Sequence, residues 1–102
     1  MKTTIWITTE FEASHRWPRA SNYLKYEHRH LFKVKAWFAV THLDRDIEFL
    51  EMKSKVTSFL KNKTFSGTES CEMFCQMLLN EFPTMIKVSV SEDGENGAEC
   101  ER

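Results

Sequence analysis

Along the first fifteen residues polar and apolar positions alternate: Ile5, Ile7, Thr9, Phe11, Ala13 and His15 fall on one side, Thr4, Trp6, Thr8, Glu10, Glu12 and Ser14 on the other. A period of two marks a strand with one face in a core, so residues 3–15 are expected as a strand whose inward face ends in a histidine. The segment 17–27, WPRASNYLKYE, breaks the alternation with Pro18 and the turn formers Ser21 and Asn22, and reads as a connection. A second strand starts near His28, where His28, His30, Phe32, Val34, Ala36, Phe38 and Val40 share a face opposite Lys33, Lys35 and Trp37. Two long successive strands suggest an antiparallel pair. Such a pair sets the end of the first strand beside the start of the second, and His15 beside His28 and His30.

From Asp46 to about Lys61 the period lengthens, with Phe49, Met52, Val56, Phe59 and Leu60 recurring at helical spacing. After the turn-like NKTFSG, Ser66 and Glu69 have the spacing of a capping box. Cys71, Phe74, Cys75, Leu78 and Phe82 then mark the inward face of a second helix, which Pro83 ends. Residues 85–91, MIKVSVS, alternate again, and the tail SEDGENGAECER offers a turn and a short fourth strand. The order β-β-α-α-β, with a last β from the tail, implies an α+β fold: an antiparallel sheet with both helices on one face. No repeat, linker or low-complexity segment interrupts it, so residues 1–102 read as a single domain.

Composition narrows the function classes. At 41% hydrophobic residues the chain has enough apolar mass to close one core. Fourteen basic against fifteen acidic residues leave a formal net charge of -1, so no overall field draws the protein to nucleic acid or an anionic membrane. A local basic cluster, Arg16, Arg19, Lys25, Arg29, Lys33 and Lys35, surrounds the histidines. It reads as a solvated face or as a docking site for an anionic small molecule. No secretory h-region and no run near the roughly 18 apolar residues of a membrane span is present, so a cytoplasmic protein is expected. Three cysteines without a CxxC spacing are expected as reduced thiols.

The histidines are the candidate chemistry. A strand HxH places two imidazoles on one side about 7 Å apart along the backbone, and a third from an adjacent strand can complete one face of a tetrahedron around Zn2+. Three protein ligands leave a coordination position open, as in catalytic zinc sites. Each histidine taken singly reads equally as a hydrogen-bonded core residue. His42 lies about 40 Å along an extended strand from His30 and reads as an ordinary surface residue.

FEASHR (Phe11 to Arg16) followed by EHRHLFKV (Glu27 to Val34) resembles the zinc motifs F-x-A-x-H-R and H-G-H-x-Y-x-V of the 6-pyruvoyl- and 6-carboxy-tetrahydropterin synthase family. IEFLEMK (Ile47 to Lys53) resembles that family's V-x-D-F-x-x-L-K, SCEMF (Ser70 to Phe74) its P-T-x-E-N, and VSVSEDGENGAECE (Val88 to Glu101) its closing strands. The resemblance runs in order over nearly the whole chain. It implies the tunnelling fold, a β-β-α-α-β-β unit that joins into homo-oligomeric rings, often as hexamers. It also implies a carbon–oxygen lyase acting on 7,8-dihydroneopterin triphosphate or a related pterin, in biopterin or 7-deazaguanine (queuosine) precursor biosynthesis. By the same resemblance His15, His28 and His30 bind Zn2+, and Glu92 anchors the pterin by accepting two hydrogen bonds from its amino-pyrimidine edge. Glu72 would assist in substrate binding, and Arg16, with Arg19 or Lys25, would meet the triphosphate.

The chain departs from the family pattern where that pattern moves protons. Leu24 stands at the position of the family's general-base cysteine, and Thr57 and Ser58 align with its Asp-His pair. Glu27 is the substitute base this sequence offers, though it also reads as a strand residue held in an ion pair. The alternative to a lyase is a catalytically inactive zinc- and pterin- or purine-binding module, or a protein-interaction module, derived from that family.

Overall fold

A computed structural model describes residues 1–102. The chain runs β1 (Thr4–His15), a single 3-10 turn (Tyr23–Lys25), β2 (His28–Ala39), α1 (Phe49–Asn62), α2 (Cys71–Glu81), β3 (Met85–Glu92) and β4 (Asn96–Glu101). The strands form one sheet in the order β1-β2-β3-β4, with every neighbouring pair antiparallel. This is the α+β architecture the two periodicities predict, including a fourth strand from the polar tail.

Register follows from the apolar rows. Ile7 faces Ala36, which faces Val88 and then Cys100; Thr9, Val34, Val90 and Ala98 form the next row, and Phe11, Phe32 and Glu92 the one after. A slip of one residue would turn each strand's apolar set toward water. The inward residues of β1, β2 and β3 merge with Val56 and Leu60 of α1 and Cys71, Phe74, Cys75 and Leu78 of α2 into one core cluster. Both helices therefore cover the same face of the sheet. The opposite face carries no helix. There Lys35 lies 4.3 Å and 5.0 Å from the ring centres of Trp6 and Trp37, a cation–π bridge across two strands.

Two local details differ from expectation. Helix α1 starts at Phe49 rather than Asp46, because the Glu48 carboxylate accepts the Leu50 and Glu51 N–H groups and so caps it. Asp46 instead accepts the Thr41 N–H and hydroxyl, closing the preceding turn. Nor are Ser66 and Glu69 a capping box. Helix α2 is capped by Ser70, whose hydroxyl accepts the Met73 N–H. Glu69 is buried, and its carboxylate accepts the Ser66 N–H, the Ser66 hydroxyl and the Gly67 N–H. A carboxylate taken out of water has to gather donors, and the nearest belong to its own loop. Helix α2 ends at Glu81, two residues before Pro83 as predicted. Neither helix is long and apolar enough to cross a membrane.

Candidate metal centre

Strands β1 and β2 pair without a shift over twelve residues, with His15 directly opposite His28 and Ala13 opposite His30. Residues opposed in an antiparallel pair emerge on the same face, so all three imidazoles project from the helix-covered side at one end of the sheet. Their ring centres form a nearly equilateral triangle, 4.6 Å for His15–His28, 5.1 Å for His15–His30 and 4.9 Å for His28–His30, all edge-to-face. Phe32, fully buried, sets the floor with its ring centre 5.4 Å from His15 and 5.9 Å from His30.

The three Nδ1 atoms each face an acceptor. His15 Nδ1 is 3.0 Å from the Glu69 carbonyl oxygen, His28 Nδ1 is 2.9 Å from the Tyr26 carbonyl oxygen, and His30 Nδ1 is 2.7 Å from Asp93 Oδ2. A carbonyl oxygen cannot donate, so Nδ1 of His15 and of His28 must carry the proton. The same holds for His30, because hydrogen bonds from His30 and from the Leu31 N–H hold the Asp93 carboxyl below the usual carboxylate range. In the neutral rings the lone pair is then left on Nε2 in every case. Partners of this kind fix the tautomer and the orientation of metal-binding histidines.

One nitrogen of each ring lies within 4.8 Å of one nitrogen of each of the others. Tetrahedral metal–nitrogen bonds of about 2.1 Å need a spacing of about 3.4 Å, within reach of small ring rotations. The fit has an independent sign: His15 Nε2 is buried and has no hydrogen-bond partner. A buried nitrogen with a free lone pair is costly unless something electrophilic meets it. The three histidines thus suit a cation, as their spacing in the sequence predicts.

The other predicted residues are placed unequally. The Glu92 carboxylate is at the cluster, with Oε1 3.5 Å from His15 Nε2 and Oε2 3.4 Å from His30 Nε2. Glu27 directly precedes β2 and is exposed, its carboxylate in no hydrogen bond or ion pair. Glu72 is exposed in the first turn of α2. Arg16 is exposed and anchored only through its backbone, its N–H donating to the Gly67 carbonyl at 2.8 Å. The buried Cys71 thiol is pushed up to about 11, by burial and then by the charges of Glu92 and Glu72, and so stays protonated at neutral pH. His42 stands outside the cluster and pairs with Asp46 at 3.5 Å.

Sequence reasoning missed Asp93. Strand alternation would send it to the face opposite Glu92, but its φ of 57° puts it in the left-handed region, followed by Gly94 at 76°. The reversed backbone brings Oδ1 to the Leu31 N–H at 2.9 Å and Oδ2 to His30. The Asp-Gly pair after an alternating run is a hairpin signal that could have marked this position. Asp93→Asn keeps the turn but presents one amide oxygen to two donors. We expect it to weaken divalent-cation binding roughly 10- to 100-fold, measured by competition with a chelator, with little change in the melting temperature of the metal-free protein.

No protein-family model matches this chain, and no curated protein matches it either.

Proposed function

We propose that this chain is a zinc protein of the tunnelling-fold, tetrahydropterin synthase type, acting as a lyase on 7,8-dihydroneopterin triphosphate or a related pterin. The observation that carries this reading is the convergence of three imidazoles whose Nδ1 protons are all committed elsewhere. When bound, zinc would supply Lewis-acid polarisation of a hydroxyl on the pterin side chain. His15, His28 and His30 hold it, and the buried Phe32 excludes water from beneath their rings. Glu92, on the same sheet face, accepts the amino-pyrimidine edge. Glu72 lines the approach from α2, Arg16 meets the triphosphate as a freely projecting guanidinium, and Glu27 takes the side-chain proton.

The element order β-β-α-α-β-β supports the tunnelling-fold reading. So do the outer edges of β1 and β4, which have no strand beside them: free edges favour closure with further copies into a ring. A monomer by light scattering would remove the ring.

A second reading, binding without turnover, is favoured by one specific arrangement. The Thr57 hydroxyl is tied to Thr9 Oγ1 at 2.7 Å, packing α1 on β1 where the family pattern has its proton relay. Incubating the zinc-loaded protein with dihydroneopterin triphosphate and following triphosphate release separates the two. Turnover is the expected result, with Glu27→Gln lowering kcat about 10²-fold or more. A pterin held tightly with no triphosphate released would sink the lyase in favour of the binding module, and unchanged turnover in Glu27→Gln would remove Glu27 as the base.

A further inference from the structure

We infer that Glu92 is itself a metal ligand, so that the resting centre is a closed site of three histidines and one carboxylate rather than an open site of three histidines. The inference rests on the metal reading above and refines it.

Backbone position delivers the carboxylate. Glu92 is the last residue of β3 and lies opposite Phe32, so its side chain leaves the sheet on the face that carries His30. Its backbone is held on both sides. The Glu95 N–H donates to its carbonyl at 3.0 Å, and the N–H of the next residue, Asp93, donates to the Leu31 carbonyl at 2.8 Å. A strand end pinned in this way leaves only the side-chain torsions free.

The distances then discriminate between a proton and a larger cation as the bridge. Separations of 3.5 Å and 3.4 Å to the two Nε2 atoms exceed the 2.7–3.2 Å typical of an N–H···O bond. Nε2 carries no proton in the neutral rings, because every Nδ1 donates to its own acceptor. Carboxylate lone pairs therefore face imidazole lone pairs, a repulsive contact unless positive charge lies between them. Each separation, one to each carboxylate oxygen, is close to the roughly 3.4 Å between neighbouring ligand atoms around a cation with bonds of about 2.1 Å, so a small rotation of the carboxylate would set one oxygen at the ligand position. A cation so placed would also satisfy the buried His15 Nε2 that lacks a partner.

His30 shows the same design from its other side. Glu92 faces its Nε2 and Asp93 holds its Nδ1, so two consecutive residues of one chain flank both nitrogens of one ring. Only the left-handed turn at Asp93 lets neighbours in sequence do this. The consequence for chemistry is a gate: an incoming oxygen donor must displace Glu92 from the metal, and the released carboxylate is then free to accept a ring edge.

The test uses the full chain, purified metal-free, with Zn2+ titrated against a chelating competitor and Co2+ followed by its visible absorption. Glu92→Ala and Glu92→Gln are expected to bind Zn2+ at least as much more weakly as loss of an outer-shell partner would make them, on the order of 10- to 100-fold. Azide is expected to change the Co2+ spectrum of Glu92→Ala but not that of the wild type, whose fourth position is filled. If Glu92→Ala does not fold, Glu92→Gln, nearly identical in shape, carries the affinity comparison. Wild-type Zn2+ affinity in both variants, or an azide response in the wild type equal to that of Glu92→Ala, overturns the ligand role and leaves the histidine site standing. A wild type that binds neither Zn2+ nor Co2+ removes the metal reading, and this inference with it.

Discussion

Replacing His28 by alanine is expected to abolish zinc binding while leaving the metal-free fold nearly untouched. Structural zinc sites contribute roughly 10–16 kcal/mol of apparent binding at neutral pH. Shared over three or four ligands, the loss of one costs on the order of 3–5 kcal/mol, or roughly 10²- to 10⁴-fold in Kd. His28 is the suitable position because it is the first residue of β2, only half-buried, with Nδ1 bonded to the carbonyl of Tyr26 two residues away. It carries little of the core. Elemental analysis after dialysis should find zinc in the wild type and almost none in the variant. The melting temperature should rise with added zinc in the wild type alone, since a ligand that binds only the folded state stabilises it by mass action. Equal zinc content in the two proteins would end the case for this centre.

Phe32→Ala is expected to produce the largest loss of stability of any single truncation near the site. Its side chain is fully buried. Its ring stacks on Phe11 with centres 5.2 Å apart, meets Phe74 edge-on at 5.0 Å, and also faces the rings of His15 and His30. Truncating a buried phenylalanine costs about 3–5 kcal/mol, against a total of roughly 5–15 kcal/mol for a domain of this size. The melting temperature should fall by about 15–30 °C, with weakened metal binding as the histidines lose their floor. Trp6→Ala is the control, because Trp6 is exposed on the helix-free face of the sheet and contacts Lys35 rather than the core. A thermal scan showing both variants within a few degrees of the wild type would contradict this account of the core.

The arrangement of hydrogen-bond acceptors explains why the three rings are held ready for a cation. Each histidine is held by an acceptor on a different part of the chain: the loop before α2 for His15, the approach to β2 for His28 and the β3–β4 turn for His30. The loop before α2 is stiffened in turn by Glu69. Burial would raise this carboxyl, but hydrogen bonds from Ser66 and Gly67 outweigh it and hold the group below its ordinary value. Orientation is therefore set before any ion arrives, which lowers the ordering entropy that binding must overcome.

Much of this was legible in the residues alone, for a specific reason. Alternation has a period of two, and an antiparallel pair preserves facing, so Ile5 through His15 and His28 through Phe38 could be assigned to one face and three histidines to one end of it without coordinates. The helical period of 49–60 and 71–82 and the stop at Pro83 were equally local. The same logic failed at the loops. Ser66 and Glu69 matched a capping spacing, yet burial of the Glu69 carboxylate turned that spacing into a closed loop, because a spacing does not say which donors a carboxylate will find.

By itself the sequence determined the α+β class, the inward faces of the strands and helices, and the trio of His15, His28 and His30, since each depends on periodicity within a segment or on one pairing of adjacent strands. Only the tertiary structure decided that Glu92 faces His15 and His30 and that Asp93 reaches back to Nδ1 of His30. Those facts depend on a left-handed turn and on where β3 ends against β2, and contacts between residues 62 to 77 positions apart are set by how the whole sheet closes rather than by any pattern in either segment.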